Sequence, residues 1–248
     1  MPKFFYGILF AILIFLFLFT FTKPNVNQIL EESPSTEPHT EPETVSKSYP
    51  VLVLDAGHGG FDPGKVGVNG ILEKDINLAI VKKLQLLLEK EGFIVYLTRD
   101  SDKILAPANS NSQKKDDMIA RIKMITDLNP YFTISIHQNS FPDSSVSGPQ
   151  VFYYKDSESS AAMAQVLQDV LNNQLNPPKK RSPQSNQNYY LLTKTPTPTV
   201  IVECGFLSNL KEAELLSQED YQDQIAHSIF LGILSYYEST TLNQTSSE

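Results

Sequence analysis

The chain has 248 residues, of which 41% are hydrophobic and 19% are charged, so it is long enough to bury one sizeable core and is not a disordered protein. Its 20 Lys and Arg residues stand against 28 Asp and Glu residues, and the formal charge of −8 excludes a generic binder of the nucleic-acid backbone. With one cysteine an intramolecular disulfide is excluded, and the absence of tryptophan disfavours a dedicated carbohydrate-binding module.

An uncharged, apolar run extends from residue 4 to 22, with Lys3 before it and Lys23 after it. At about 1.5 Å per residue, a helix of this length nearly spans the core of a bilayer. A cleaved signal peptide usually has a shorter apolar region and a small-residue cleavage site, which the bulky end of this run lacks. We therefore predict an uncleaved anchor over 1–22, with a cleaved signal as the alternative, and export of the rest of the chain.

Residues 23–49 are rich in Pro, Glu, Ser and Thr and contain hardly any aliphatic side chain. Such a segment cannot bury enough surface to fold, so we predict a disordered linker that holds a domain away from the membrane. At the other end of the chain, the polar composition of 239–248 predicts a flexible tail.

Between residues 50 and 238, short β-rich runs alternate with amphipathic segments, a pattern typical of one α/β domain with a largely parallel sheet. Apolar residues recur at helical spacing in the intervening segments, which indicates helices that face a core. The predicted strands are Val51–Asp55, Phe93–Thr98, Phe132–His137, Gln150–Tyr154, Tyr189–Thr193 and Val200–Glu203. We therefore expect a central sheet of about six strands flanked by helices.

Two histidines and two glutamates occur where such a fold builds its functional sites. His58 follows the first strand in a glycine-rich turn, and His137 ends the third strand. Glu203 ends the last strand after three apolar residues, where an ionised carboxylate is costly to bury, and Glu73 lies at the start of the first helix. Because parallel strands end at one edge of the sheet, we expect these side chains to lie close together there.

Two imidazoles and one carboxylate leave one position open on a tetrahedral zinc ion, and a further carboxylate nearby can transfer protons. The four residues therefore indicate metal-assisted hydrolysis, whereas the alternative for each histidine is a structural group with satisfied hydrogen bonds. His227, within the last amphipathic segment, is expected to be structural or on the surface. Cys204 should face the opposite side of its strand from Glu203 and pack in the core.

Four motifs carry a resemblance to a known family, and in chain order they read DAGHGGFDPG, ILEKD, SIHQNS and IVECGFLSN. They are similar in order and spacing to the zinc-dependent N-acetylmuramoyl-L-alanine amidases of bacterial cell walls, over 51–238. The resemblance implies one zinc ion per chain on His58, Glu73 and His137, with Glu203 as the catalytic residue. The implied reaction is hydrolysis of the amide bond between the lactyl group of N-acetylmuramic acid and L-alanine in peptidoglycan.

Among these enzymes, the chain looks most like the germination-specific spore-cortex amidases, which are short and have an N-terminal hydrophobic segment. This likeness implies a role in cortex maturation, at the outer face of the bacterial membrane or in the forespore intermembrane space. The implied partners are peptidoglycan, the membrane and a candidate activator protein, without nucleic acid. Ala56, Gln138 and Ser140 depart from the commonest family pattern and could retune substrate choice.

Three further residues are candidate substrate contacts, and they are Arg99, Asn139 and Arg181. Arg99 is equally suited to a structural ion pair. Arg181 belongs to a basic loop with Lys179 and Lys180, which could meet peptide carboxylates or an acidic partner, or be only solvated.

Two other functions stay open at this point. A membrane-tethered scaffolding or wall-binding protein could use an inactive fold of this kind, and zinc content would separate it from an enzyme. A different zinc amidohydrolase, such as a peptidoglycan peptidase or a sugar deacetylase, would be distinguished by its products.

Overall fold

The computed structural model describes residues 50–245, with side chains described as far as residue 242. The predicted anchor, 1–22, and the predicted linker, 23–49, lie outside the described residues. Within the described part, no helix combines the length and the apolar character needed to cross a membrane.

Strands and helices alternate along the described chain. The strands are β1 (Val51–Ala56), β2 (Ile94–Leu97), β3 (Phe132–Asn139), β4 (Gln150–Tyr154), β5 (Gln184–Asn186) and β6 (Thr199–Phe206). The helices are α1 (Glu73–Lys90), α2 (Gln113–Leu128), α3 (Glu158–Gln174), α4 (Tyr190–Lys194), α5 (Leu210–Leu216) and α6 (Glu219–Thr245).

All six strands form one sheet in the order β2-β1-β3-β6-β4-β5. The pairs β1–β2, β1–β3 and β3–β6 are parallel, whereas β4 runs antiparallel to β6 and pairs in parallel with β5. This arrangement confirms the predicted α/β class and its mostly parallel sheet. It also brings the carboxyl ends of β1, β3 and β6 to one edge.

Alternating side chains divide the core between the two faces of the sheet. On one face, Leu52 and Leu54 of β1 join the larger apolar cluster with α1, α3 and α6. On the other face, Val53 packs with residues of α2 and α4 in a smaller cluster. Cys204 is fully buried in the larger cluster, which confirms that it packs away from Glu203.

The predicted strand Tyr189–Thr193 is wrong, because these residues begin the short helix α4. Leu191 and Leu192 are both buried, and a strand would turn two successive side chains to opposite faces. The sixth strand is instead β5, Gln184–Asn186, which is polar and lies at the sheet edge.

Helix α6 continues past residue 238 to Thr245, so the predicted tail, 239–248, is helical over its first part. The Tyr131 hydroxyl donates to Thr240 Oγ1 at 2.9 Å, which ties this part of the helix to the residue before β3. A polar composition alone does not reveal that contact.

Candidate metal centre

His58 lies two residues after the end of β1, in a backbone conformation that few residues other than glycine adopt, with φ at 62°. Two buried arginines hold this turn. Arg121 of α2 donates from Nη1 to the carbonyl of Ala56 and from Nη2 to that of His58, both at 2.7 Å. Arg99 donates from Nε to Ala56 at 2.9 Å and from Nη2 to the Gly57 carbonyl at 3.0 Å. Three successive carbonyls are thereby fixed, and the strained turn is held by its surroundings.

The predicted substrate contact Arg99 lies beneath the turn and not in a cleft. Its side chain is 1% exposed, and it donates further to the carbonyls of Lys74 at 2.7 Å and Ser101 at 3.2 Å. A guanidinium in this position is committed to backbone carbonyls. The structure therefore favours the structural one of the two roles predicted for Arg99.

The Glu73 carboxylate, at the first residue of α1, lies between the two histidines. Its Oε1 is 2.9 Å from His137 Nδ1 and accepts the backbone N–H of Gln138 at 3.1 Å. Its Oε2 is 3.3 Å from His58 Nε2 and accepts the backbone N–H of Lys65 at 2.7 Å. Backbone N–H groups thus hold both carboxylate oxygens of Glu73 in the space between the two imidazole rings.

These three residues offer nitrogen and oxygen donor atoms that all lie within 4.8 Å of one another. Burial disfavours a charge on His137, but hydrogen bonding and attraction by Glu73 outweigh it and raise its pKa to about 9. Burial likewise opposes a charge on Glu73, and the two histidines reverse this and hold its pKa well below the usual value. The cluster therefore favours positive charge, and its donor set fits a catalytic zinc ion.

Glycine at position 57 is required by the close approach of this cluster. A Cβ atom built there would lie 2.2 Å from His137 Cε1 and 2.3 Å from its Nε2. Any larger side chain would push the imidazole away from Glu73. The glycine-rich turn thus carries His58 and, through Gly57, leaves space for the imidazole of His137.

Glu203 lies opposite His137 in the pairing of β6 with β3. It is 6% exposed, and its Oε2 has no hydrogen-bond partner among the described residues. The Tyr189 hydroxyl donates to Oε1 at 3.4 Å. Burial raises the pKa of Glu203 to about 7, so this carboxyl group is suited to accept and release a proton near neutral pH.

Two adjoining spaces lie beside Glu203. A small cavity of about 90 Å³ is bounded by His137, Glu203 and Tyr189, among others. Tyr189 also lines a neighbouring groove of about 370 Å³, to which Asn139 and Arg181 contribute. The structure therefore brings Asn139 and Arg181 together beside the centre.

Two further residues contact the centre and are not among the sequence predictions. Asp62 Oδ2 lies 2.8 Å from His58 Nδ1, and its Oδ1 is 2.7 Å from Lys114 Nζ. Tyr189 contacts Glu203 as described. The spacing of four residues between His58 and Asp62 was the one signal in the sequence, whereas Tyr189 lies in a segment predicted as a strand.

The chain is similar in sequence to proteins of a known family. A family model described as N-acetylmuramoyl-L-alanine amidase matches residues 52–235. The germination-specific N-acetylmuramoyl-L-alanine amidase of Bacillus subtilis (strain 168) is 36% identical over 200 residues, which cover 79% of this chain and 84% of that protein.

Solved structures show the same likeness. The CwlD amidase from Clostridioides difficile, in complex with the GerS lipoprotein, is 37% identical with a TM-score of 0.74, over 77% of this chain and 99% of that one. The catalytic domain of CwlV, an N-acetylmuramoyl-L-alanine amidase from Bacillus (Paenibacillus) polymyxa var. colistinus, is 32% identical with a TM-score of 0.67. That match covers 76% of this chain and 98% of the CwlV domain.

Proposed function

Since the chain belongs to the N-acetylmuramoyl-L-alanine amidase family, as its sequence motifs predicted, we propose that its amidase activity depends on one zinc ion held by His58, Glu73 and His137. The bond it cleaves joins the lactyl group of N-acetylmuramic acid to L-alanine in peptidoglycan. The observation that carries the zinc proposal is the set of three donor groups within 4.8 Å of one another, beside a buried carboxylate oxygen of Glu203 that has no hydrogen-bond partner among the described residues.

Zinc in such a site supplies Lewis acidity, which lowers the pKa of a water molecule towards about 7 and polarises a carbonyl oxygen. The protein residues carry the proton transfers. Glu203 accepts a proton from the attacking water through Oε2, which has no hydrogen-bond partner in the described part of the chain, and returns it to the departing nitrogen of L-alanine. The Tyr189 hydroxyl holds the other carboxylate oxygen, so that one oxygen stays directed at the reacting atoms.

Asp62 supports the metal site from behind. It accepts a hydrogen bond from the Nδ1–H of His58. The other ring nitrogen, Nε2, then keeps a free lone pair beside Glu73, with which it can bind a metal ion. A carboxylate in this position fixes both the tautomer and the ring orientation of a histidine ligand.

We also propose that the cortex peptidoglycan of spores is the substrate and that the enzyme acts outside the cytoplasm, anchored through 1–22. The similarity to a germination-specific amidase supports the first part. The apolar run after Lys3 supports the second. The CwlD amidase forms a complex with a lipoprotein, which supports an activator protein of that kind as a partner here.

The test is digestion of purified cortex and vegetative peptidoglycan by the full chain, with products identified by mass spectrometry. The proposal predicts stem peptides that begin with a free L-alanine amine, released faster from cortex. A peptidase would expose other amino termini, and a deacetylase would release acetate. Either result in place of free L-alanine termini would contradict the proposed activity.

A further inference from the structure

A groove opens beside Glu203 and runs past the ends of the central strands. We refer to it as the side groove, and six of its lining residues are Asn139, Gln150, Lys179, Arg181, Tyr189 and Phe206. It measures about 370 Å³ and shares Tyr189 with the small cavity at the proposed catalytic carboxylate. The two spaces are therefore neighbours on one surface.

The strand pairing gives the direction and length of the side groove. Gln150 lies opposite Glu203 in the pairing of β4 with β6, so the groove begins beside the carboxylate. Phe206 lies three residues further along β6 and pairs with Asn139. A register shift lies between the His137–Glu203 pair and the Asn139–Phe206 pair, so that three residues of β6 stand against two of β3. At about 3.3 Å per strand residue, this end of the groove lies roughly 7–10 Å from Glu203.

Arg181 stands over that end with its terminal nitrogens uncommitted. Its Nε donates to the Ser147 carbonyl at 3.0 Å, and its guanidinium carbon lies 5.0 Å from the centre of the Phe206 ring. Asn172 fixes the backbone, since it accepts from the Arg181 N–H at 3.2 Å and donates to its carbonyl at 2.7 Å. Among the residues whose side chains are described, none accepts a hydrogen bond from Nη1 or Nη2.

The nearby acid Glu212 does not bind Arg181 directly. Its two oxygens accept the backbone N–H groups of Gly148 and Phe206, both at 2.8 Å. The Lys179 amine also has no hydrogen-bond or ion-pair partner within the described part of the chain. The end of the side groove therefore presents two cations that have no anionic partner among the described residues: Arg181, which is held in place, and Lys179, whose amine is exposed.

The peptide is the part of the proposed substrate that supplies such an anion, because the N-acetylated sugars and the lactyl amide are uncharged. An extended peptide covers about 3.3–3.6 Å per residue, so the second or third residue of the stem reaches a point roughly 7–10 Å from the scissile bond. In stems with a γ-linked D-glutamate at the second position, its free α-carboxylate falls in this range.

We propose that the side groove is a binding site for a stem-peptide carboxylate, in which Arg181 and Lys179 recognise a free acid and discriminate against an amidated stem. This inference rests on the proposed amidase function and adds to it the direction in which the peptide lies. A guanidinium fixed through Nε and an aromatic ring suits a carboxylate, because its remaining donors keep a planar geometry.

The test uses the full chain and two synthetic stem tripeptides, L-Ala-γ-D-Glu-meso-diaminopimelate with the D-glutamate α-carboxyl group either free or amidated. Calorimetry should show the free acid binding roughly tenfold or more tightly than the amide. Arg181→Gln and Lys179→Gln should each reduce that ratio, Arg181→Gln to near one. Lys180→Gln is the matched control, because Lys180 Nζ contacts Asn173 and does not line the groove.

Arg181→Gln loses its bond to Ser147, so its melting temperature is measured beside its affinity. Lys179→Gln breaks no described contact and gives a second reading if the first variant unfolds. Equal binding of the two peptides by the wild type, or an unchanged preference in both variants, would overturn the proposal.

Parallel digestion of peptidoglycan by the wild type separates this inference from the function on which it rests. Release of L-alanine termini without any preference for the free acid would support the amidase proposal and refute the proposed role of the side groove. A preference for the free acid without release would contradict the proposed function instead.

Discussion

Glu203 and His137 are direct partners in the parallel register of β6 and β3. A proposed metal ligand and the proposed proton-transfer group thus lie side by side near the carboxyl ends of their strands, both on the face that α2 and α4 cover. A slip of one residue in this register would turn one of the two side chains to the opposite face. The chemistry therefore depends on the same strand pairing that fixes the core.

The first prediction separates proton transfer from metal binding. Glu203→Gln keeps the shape of the side chain but removes the base, so turnover on peptidoglycan should fall about 10²–10⁴-fold. Zinc content, measured by mass spectrometry of the purified protein, should match the wild type. Near-normal turnover would rule out this role for Glu203, and loss of zinc would make it a ligand.

The second prediction concerns the support of His58. Asp62→Asn weakens the acceptor at Nδ1 of that ring, so zinc affinity should fall about 10–100-fold in competition with a chelator. Lys114→Gln is the control, because Lys114 contacts the other oxygen of Asp62 from an exposed position and should change the affinity little. Equal effects of the two changes would show that Asp62 acts only through its surface ion pair.

The third prediction tests the close approach at Gly57. Gly57→Ala places a methyl group 2.2 Å from His137 Cε1, so the imidazole has to move away from Glu73. Zinc affinity should fall at least tenfold, as read by titration with a chromogenic chelator, while circular dichroism shows that the fold is kept. Wild-type affinity in a folded Gly57→Ala protein would show that His137 is not held where the structure places it.

The positions of the metal cluster follow from features that are visible in sequence. His58, His137 and Glu203 each lie at or just after the end of a short β-rich run, and such runs become neighbouring parallel strands because their apolar side chains must be buried. Glu73 lies at the predicted start of the first helix, and its role as a ligand came from the resemblance of the ILEKD motif to the amidase family. The prediction of a shared edge required only that the strands be parallel.

Other parts of the site could not be read in this way. The aromatic and aliphatic residues from Tyr189 onward favour a strand locally, and their helical form depends on packing against α2 and the sheet. The strand β5 consists of three polar residues, so no apolar pattern predicts it. The two arginines under the turn look like surface residues in sequence, because the carbonyls that they bind come from distant positions.

The fourth prediction uses the buried pair beneath the site. Burial would raise the pKa of Asp55, but attraction by Arg121 and the hydroxyl groups of Ser135 and Thr98 outweigh it and lower the pKa to about 2 from 3.8. Because the folded-state pKa is the lower one, ionised Asp55 stabilises the fold above about pH 4, and this contribution is lost as the pH falls from about 4 to about 2. Its size is about 2 kcal/mol.

Urea unfolding of the metal-free protein at several pH values tests this contribution. Asp55→Asn should lower the free energy of unfolding at pH 7 by about 3 kcal/mol, since Arg121 is left buried with a weaker partner. The difference in free energy of unfolding between Asp55→Asn and the wild type should decrease by about 2 kcal/mol as the pH falls from 4 to 2. Asp127→Asn, in an exposed pair with Lys123, should leave both values nearly unchanged. A gap that is independent of pH would contradict the lowered pKa.

The most direct test of the account is a zinc titration of the metal-free full chain, with amidase activity on peptidoglycan measured at each step. Zinc-dependent catalysis predicts that activity is absent after chelation and rises in proportion to bound zinc up to one ion per chain, and that His58→Ala, Glu73→Gln and His137→Ala abolish this recovery. Full activity without zinc, or zinc binding that leaves activity unchanged, would contradict it.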